Sequence, residues 1–284
     1  MAYAFWLGFR PGDQVNLSEP QTLVGNDCSI TYYRSGNGPT LLLLHGLGAS
    51  SYSWRYLIPL LSADFEVIAI DLPGFGGSSK SPDFEYGLDA QVDRLDRCIR
   101  GLRIIPHAVI GSSLGGLLAL GLAKKDPLFY PRVIALAPAA LGALFRWPLA
   151  RFSRRGRYLK IFINRFTMPF MVGTVVGGTR PLHRDSLKKY LEPYRDPSLF
   201  HTFFASFEAL ADPRVPQLFE TLKIPILILW GQRDLQVSRR TIDALEAVLP
   251  HAEIRRLPKL AHQPRDSHPE VIANEIRAWL NKNT

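Results

Sequence analysis

The chain has 284 residues, enough for one large α/β domain or two small ones, and its 46% hydrophobic residues are ample for a buried core and exclude a disordered or low-complexity protein. Its two cysteines, Cys28 and Cys98, exclude a disulfide scaffold and read as buried free thiols in a reducing compartment. The formal net charge of +9 is uneven, because residues 141–170 carry seven basic side chains and no acid, so one local basic element rather than a basic protein needs explaining.

From the start of the chain, "MAYAFWLGFRPG" is apolar but has no cationic segment before its short hydrophobic run, so no signal peptide is predicted. "SITYYRSGNG" (Ser29 to Gly38) reads as a strand ending in a Gly/Asn turn, an antiparallel edge ahead of the main sheet. Five apolar runs follow: Thr40 to Gly46, Phe65 to Asp71, His107 to Ser113, Arg132 to Pro138 and Ile224 to Gly231. Runs without alternation suit strands covered on both faces, the mark of a mainly parallel sheet. Between them, Leu88, Val92, Leu95, Ile99 and Leu102 form one stripe of an amphipathic helix. "AEIRRLP" reads as the last strand, and "HPEVIANEIRAWL" as a final helix with Pro269 and Glu270 in its first turn. The longest nearly uncharged run, Val133 to Phe145, has 13 residues against the roughly 20 a spanning helix needs, so no transmembrane helix and a cytoplasmic location are expected.

The strand and helix rhythm breaks between Leu141 and Leu222, where the chain turns helical in texture and rich in Arg and Phe. This predicts a core of residues 1–140 and 223–284 carrying a helical cap at 141–222.

Gly111-Ser112-Ser113-Leu114-Gly115 fits G-x-S-x-G directly after an apolar run and directly before the helical "LGGLLALGLAKK". A nucleophile on a sharp strand-to-helix turn needs small residues two positions away on both sides. Centred on Ser113, those positions are Gly111 and Gly115; centred on Ser112 they would be Ile110 and Leu114. Ser113 is therefore the candidate nucleophile, near a helix N-terminus that favours developing negative charge, and Ser112 is a passenger.

A serine hydroxyl needs a histidine base oriented by a carboxylate. Among seven histidines, His262 follows the last strand at the expected edge of the sheet. His183, His201 and His251 read as surface or cap residues, His107 lies at the wrong strand end, and His268 is a weaker competitor. Asp234, just after "ILILWGQR", is the candidate acid, giving the chain order Ser113, Asp234, His262. An oxyanion needs two backbone donors: the N–H of Leu114 after the serine, and the N–H of Leu47 in the glycine-flanked turn "HGLGAS", with Gly46 permitting the turn and His45 bracing it.

Taken together, "LLLLHGLGASSYSWR", "AIDLPGFGGSS", "GSSLGG", "LILWGQRD" and "AHQPRDSHP" resemble the α/β-hydrolase superfamily over almost the full length of the chain. Ala261 stands where glycine is usual, Ser267 where Glu is frequent and Val237 where proline often follows the acid turn. The resemblance implies a parallel sheet flanked by helices, a serine-dependent mechanism, and no metal or organic cofactor. Serine rather than aspartate at the elbow points away from relatives resembling epoxide hydrolases and haloalkane dehalogenases. The absence of Trp after the histidine favours ester hydrolysis over carbon–carbon bond hydrolysis of meta-cleavage products. Perhydrolysis on the same triad, and a receptor-like binding protein with little turnover, remain as alternatives.

Within 146–166, Phe152, Leu159, Phe162, Ile163 and Phe166 fall near one helical face with arginines around it. Such a face either packs on the domain or lies against anionic lipid; the second reading implies a lipid-like ester substrate and peripheral membrane contact. No nucleic-acid recognition motif accompanies the basic patch.

Overall fold

The computed structural model describes residues 18–25, 28–81, 83–139, 184–196, 198–210 and 214–283. Eight strands are present among them: β1 (Gln21–Val24), β2 (Ser29–Ser35), β3 (Thr40–Leu44), β4 (Glu66–Ile70), β5 (Pro106–Ser112), β6 (Val133–Leu136), β7 (Ile226–Gly231) and β8 (Glu253–Leu257). They form one sheet in the order β1-β2-β4-β3-β5-β6-β7-β8, with β1 and β2 antiparallel and β3 to β8 parallel.

Each apolar run becomes a strand because both of its faces are covered. Leu42 and Leu44 enter one core with the helices α2 (Leu88–Gly101) and α3 (Leu114–Lys125), while Leu41 and Leu43 enter the other with α1 (Leu57–Leu61) and the final helix, whose Trp279 is buried there. The stripe read on α2 is the buried one: Val92, Leu95 and Ile99 are inside, flanked by partly buried Leu88 and Leu102. One edge differs from the sequence reading. β1 lies outside β2, so β2 is not the edge strand. Four largely exposed residues leave no hydrophobic pattern from which β1 could be read.

Between β6 and β7 the described residues are helical, with α4 (Arg184–Leu191), α5 (Ser198–Leu210) and 3₁₀ turns at Glu192–Arg195 and Pro216–Phe219. The basic stretch 146–166 lies outside the described residues. α5 is joined to the loop before α2 by a 2.8 Å hydrogen bond between the hydroxyls of Tyr86 and Thr202. After β7 come α6 (Arg239–Val248), the short α7 (Pro264–Ser267) and α8 (Pro269–Lys282). No helix among the described residues is long and apolar enough to cross a membrane.

β3 is flanked by β4 on one side and β5 on the other, so the chain leaves it in opposite directions and opens a crevice beyond the carboxyl ends of β3 and β5. His45 stiffens the rim. Its Nε2 accepts the N–H of Leu72 at 2.9 Å, so the ring proton sits on Nδ1, which donates to the carbonyl of Gly46 at 2.8 Å. Asp71 continues the brace, accepting from the N–H and hydroxyl of Ser51, each at 2.6 Å, and from the N–H of Gly77 at 2.7 Å.

Burial holds the pKa of His45 below the ordinary imidazole value, against a smaller opposing pull from Asp71. The folded ring resists protonation that the unfolded ring accepts below about pH 6.5, so its contribution to stability is present above that pH and is lost as pH falls through the depressed folded value. The melting temperature of the wild type is expected to drop more steeply than that of His45→Gln between about pH 7.5 and pH 5; parallel curves would show a freely titrating ring.

The sulfurs of Cys28 and Cys98 lie 2.8 Å apart and both residues are buried. Hydrogen bonding to Cys28, then burial, pushes the Cys98 thiol far above the usual range, which makes it a poor nucleophile. A chromogenic disulfide reagent is expected to find no reactive thiol in the folded protein at about pH 8 and both thiols after unfolding in urea. A thiol that reacts before unfolding would contradict the burial.

Candidate active site

Ser113 is the single residue between the end of β5 and the start of α3, with φ 55° and ψ −114°. A serine in this region is strained by roughly 1–3 kcal/mol and needs support from its surroundings. Its N–H donates to the carbonyl of Leu136 at 2.9 Å, and its own carbonyl accepts from Gly116 at 3.0 Å and Ala139 at 3.2 Å. The flanking glycines are a steric requirement: a Cβ on Gly111 would lie 2.0 Å from the carbonyl oxygen of Gly115, and one on Gly115 would lie 2.2 Å from that of Leu44. Gly46 stands against the serine from the β3 side, where a Cβ would meet Ser113 Cβ at 3.3 Å and Oγ at 3.9 Å.

Asp234 and His262 come from the carboxyl ends of the neighbouring strands β7 and β8. The loops are tied together by the N–H groups of Gln232 and Arg233, which donate to Leu257 at 3.0 Å and Leu260 at 2.9 Å. Asp234 Oδ1 accepts from the N–H groups of Gln236 at 2.7 Å and Val237 at 2.9 Å, while Oδ2 accepts from His262 Nδ1 at 2.7 Å. A carboxylate is an acceptor only, so the proton lies on Nδ1 and Nε2 keeps its lone pair. Val237, one of the three departures from the family pattern, contributes an N–H that proline lacks.

Leu114 is the first residue of α3, so its N–H has no intrahelical acceptor and points out of the positive end of the helix. Leu47 lies between Gly46 and Gly48, in a turn closed by Ala49 N–H to the Gly46 carbonyl at 3.2 Å. The Tyr194 hydroxyl and the ring of Phe203, from the helical region between β6 and β7, close over Gly48 and leave no room there for a side chain. Burial raises the pKa of Tyr194, which stays a protonated donor.

The other histidines fall elsewhere. His107 lies in the first half of β5, remote from the elbow, His201 packs edge-on to Tyr86, His251 is exposed, and His268, the residue before α8, has its Nδ1 against Ser267 Oγ at 2.9 Å. His183 is outside the described residues. No group of acidic, cysteine or histidine side chains that could hold a metal is found among the described residues.

Ser112 needs correction. It is not a passenger but a fully buried hydroxyl that accepts a hydrogen bond from Arg265 Nη1. A pair of arginines under the site, Arg55 and Arg265, also went unread, because no sequence periodicity marks a charged side chain that packs inside.

Residues 39–267 match the family model described as the alpha/beta hydrolase fold. The pimeloyl-[acyl-carrier protein] methyl ester esterase of Aeromonas hydrophila is 29% identical over 265 residues, covering 89% of this chain and 99% of that protein. A stretch of 103 residues is 47% identical to the magnesium-chelatase 30 kDa subunit of Rhodobacter capsulatus, covering 36% of each chain. Among solved structures, one described as a membrane phospholipase A and a bacterial virulence factor aligns with a TM-score of 0.78 at 25% identity, covering 94% of this chain and 87% of the other. The matched span runs from just before β3 to the end of α7, just past His262, and with the sheet order it establishes that this chain is a hydrolase of the α/β-hydrolase family.

Proposed function

We propose that this protein is a serine-dependent hydrolase of carboxylic esters that works through an acyl-enzyme. The observation that carries the reading is the Asp234 to His262 bond at 2.7 Å, set beyond the same sheet edge as a serine held at positive φ on the N-terminus of α3. In this reading His262 Nε2 takes the proton of Ser113 as Oγ attacks the ester carbonyl. The N–H groups of Leu47 and Leu114 hold the oxyanion, aided by the helix dipole. The protonated imidazole then gives its proton to the leaving alkoxide. Water activated by His262 releases the acid in the second half, while Asp234 keeps the tautomer fixed throughout. No cofactor takes part.

Support for the substrate class comes from the wall beside Gly48. Phe203 stacks on Phe207 at 6.3 Å with planes 9° apart, and Tyr194 adds a single donor. A mainly aromatic wall with one hydroxyl suits a hydrophobic or lipid-like acyl group, and residues 141–222 then act as the cap over Ser113. The esterase and the phospholipase A named above support this class. The basic stretch 146–166 would bring the enzyme to anionic lipid from a reducing, cytoplasmic side. A second reading is a binding protein of the same fold with little turnover.

Ser113→Ala is expected to abolish turnover of p-nitrophenyl esters and labelling by a fluorophosphonate, and Asp234→Asn to lower kcat by about 10³–10⁴ through the wrong tautomer. Undiminished labelling of Ser113→Ala refutes the nucleophile, and a folded wild type with no turnover favours the binding reading. The rate is expected to rise with acyl length, and sedimentation with phosphatidylglycerol vesicles to be lost when Arg151, Arg154, Arg155 and Arg157 become Gln. Equal rates on short and long esters, or no vesicle binding, removes the lipid part of the reading.

A further inference from the structure

Arg265 lies three residues beyond His262, on α7, and is only 1% exposed. Its Nε donates to the carbonyl of Ser53 at 3.1 Å, its Nη1 donates to the hydroxyl of Ser112, and its guanidinium lies 4.9 Å from the Trp54 ring. One side chain therefore joins the residue before Ser113, the turn that follows β3, and the loop that carries His262.

The charges around it are uneven. Asp266, with its side chain 5% exposed, pairs with Arg55 at 2.8 Å and accepts the Tyr190 hydroxyl at 2.9 and 3.0 Å. Arg55 also donates to that hydroxyl at 3.0 Å. The carboxylate is hydrogen-bonded by Tyr190 and paired with Arg55, acting on Arg265 only through space, and the two oxygens hydrogen-bonded by Arg265 are both neutral. Burying a guanidinium costs several kcal/mol, and an apolar side chain would pack against Trp54 without that cost. Stability alone does not select arginine here. A planar fork that fixes two oxygens at a set angle does.

We infer that Arg265 is a positioning residue, whose guanidinium holds Ser112 to the histidine loop and so sets the separation of Ser113 from His262. The inference rests on the reading of those two residues as nucleophile and base. Ser112 is its working partner, and the first serine of the elbow has a role distinct from that of the second. A displacement of about 1 Å between reacting groups costs on the order of 10² in rate, which is the scale available to such a fork.

The test is a double-mutant cycle with Arg265→Met, Ser112→Ala and the pair, beside Arg265→Lys, on full-length protein with a p-nitrophenyl ester and a fluorophosphonate. Arg265→Met is expected to lower kcat and the labelling rate by about 30- to 100-fold with KM within about twofold. The double variant is expected to be no slower than Arg265→Met, because both changes break one link, and Arg265→Lys to keep more of kcat than Met does. Rates that multiply independently, a loss confined to melting temperature, or a loss carried by KM each overturn the inference. Should Arg265→Met not fold, Ser112→Ala decides: a native melting temperature with an undiminished labelling rate refutes it. Persistent labelling in Ser113→Ala sinks the ester-hydrolase reading itself. Wild-type rates in the Arg265 and Ser112 variants, with Ser113→Ala dead, sink only this one.

Discussion

The structure depends on a close approach of backbones where α3 comes back against the ends of β3 and β5. At Gly111 and Gly115 there is no space for even one methyl carbon, and that contact lets the chain reverse within the single residue Ser113. The positive φ of the serine, the outward N–H of Leu114 and the nearness of Gly46 all follow from it. The surrounding sheet bears the strain because both of its faces are buried, so the ends of β3, β5 and β6 cannot yield separately.

A second layer of order is polar and lies under the first. His45 and Asp71 fix the loops after β3 and β4 by taking backbone N–H groups that no strand can satisfy at a sheet end. Arg55, Asp266 and Tyr190 join α4 to the same floor. Arg55 and Asp266 are inside although charged, and each is retained with a partner, as burial of a charge demands. The apolar core supplies the larger share of stability; the polar floor sets where the loops stand on it. The division also explains why His45, despite a ring next to the site, is a brace: both of its nitrogens are already committed to backbone.

How legible was this in the chain? Five of the six parallel strands were, because each is built on a short run of Leu, Ile, Val or Ala with no polar alternation, and the α2 stripe was, because its spacing is helical; β8, which carries Glu253, Arg255 and Arg256, lacks that pattern. β1 was not, since an edge pair of mostly exposed residues carries no pattern. The site divides in the same way. Ser113 could be told from Ser112 by the glycine frame alone, and Asp234 and His262 by their places after strands. The part played by Ser112 is not legible, because the glycine frame is steric and local, and a hydrogen bond to Arg265, 153 positions away, leaves no trace in it.

The sequence by itself determined the period of the hydrophobic pattern, the positions of the tight turns and the candidates for nucleophile, acid and base, because these depend on near neighbours and on side-chain type. Only the tertiary structure decided which buried charges face one another, which tautomer His45 and His262 hold, and what crowds Gly48. Those outcomes depend on residues far apart in the chain, such as Asp234 with His262 at 2.7 Å and Arg55 with Asp266 at 2.8 Å, which meet only when the sheet brings its loop ends to one edge.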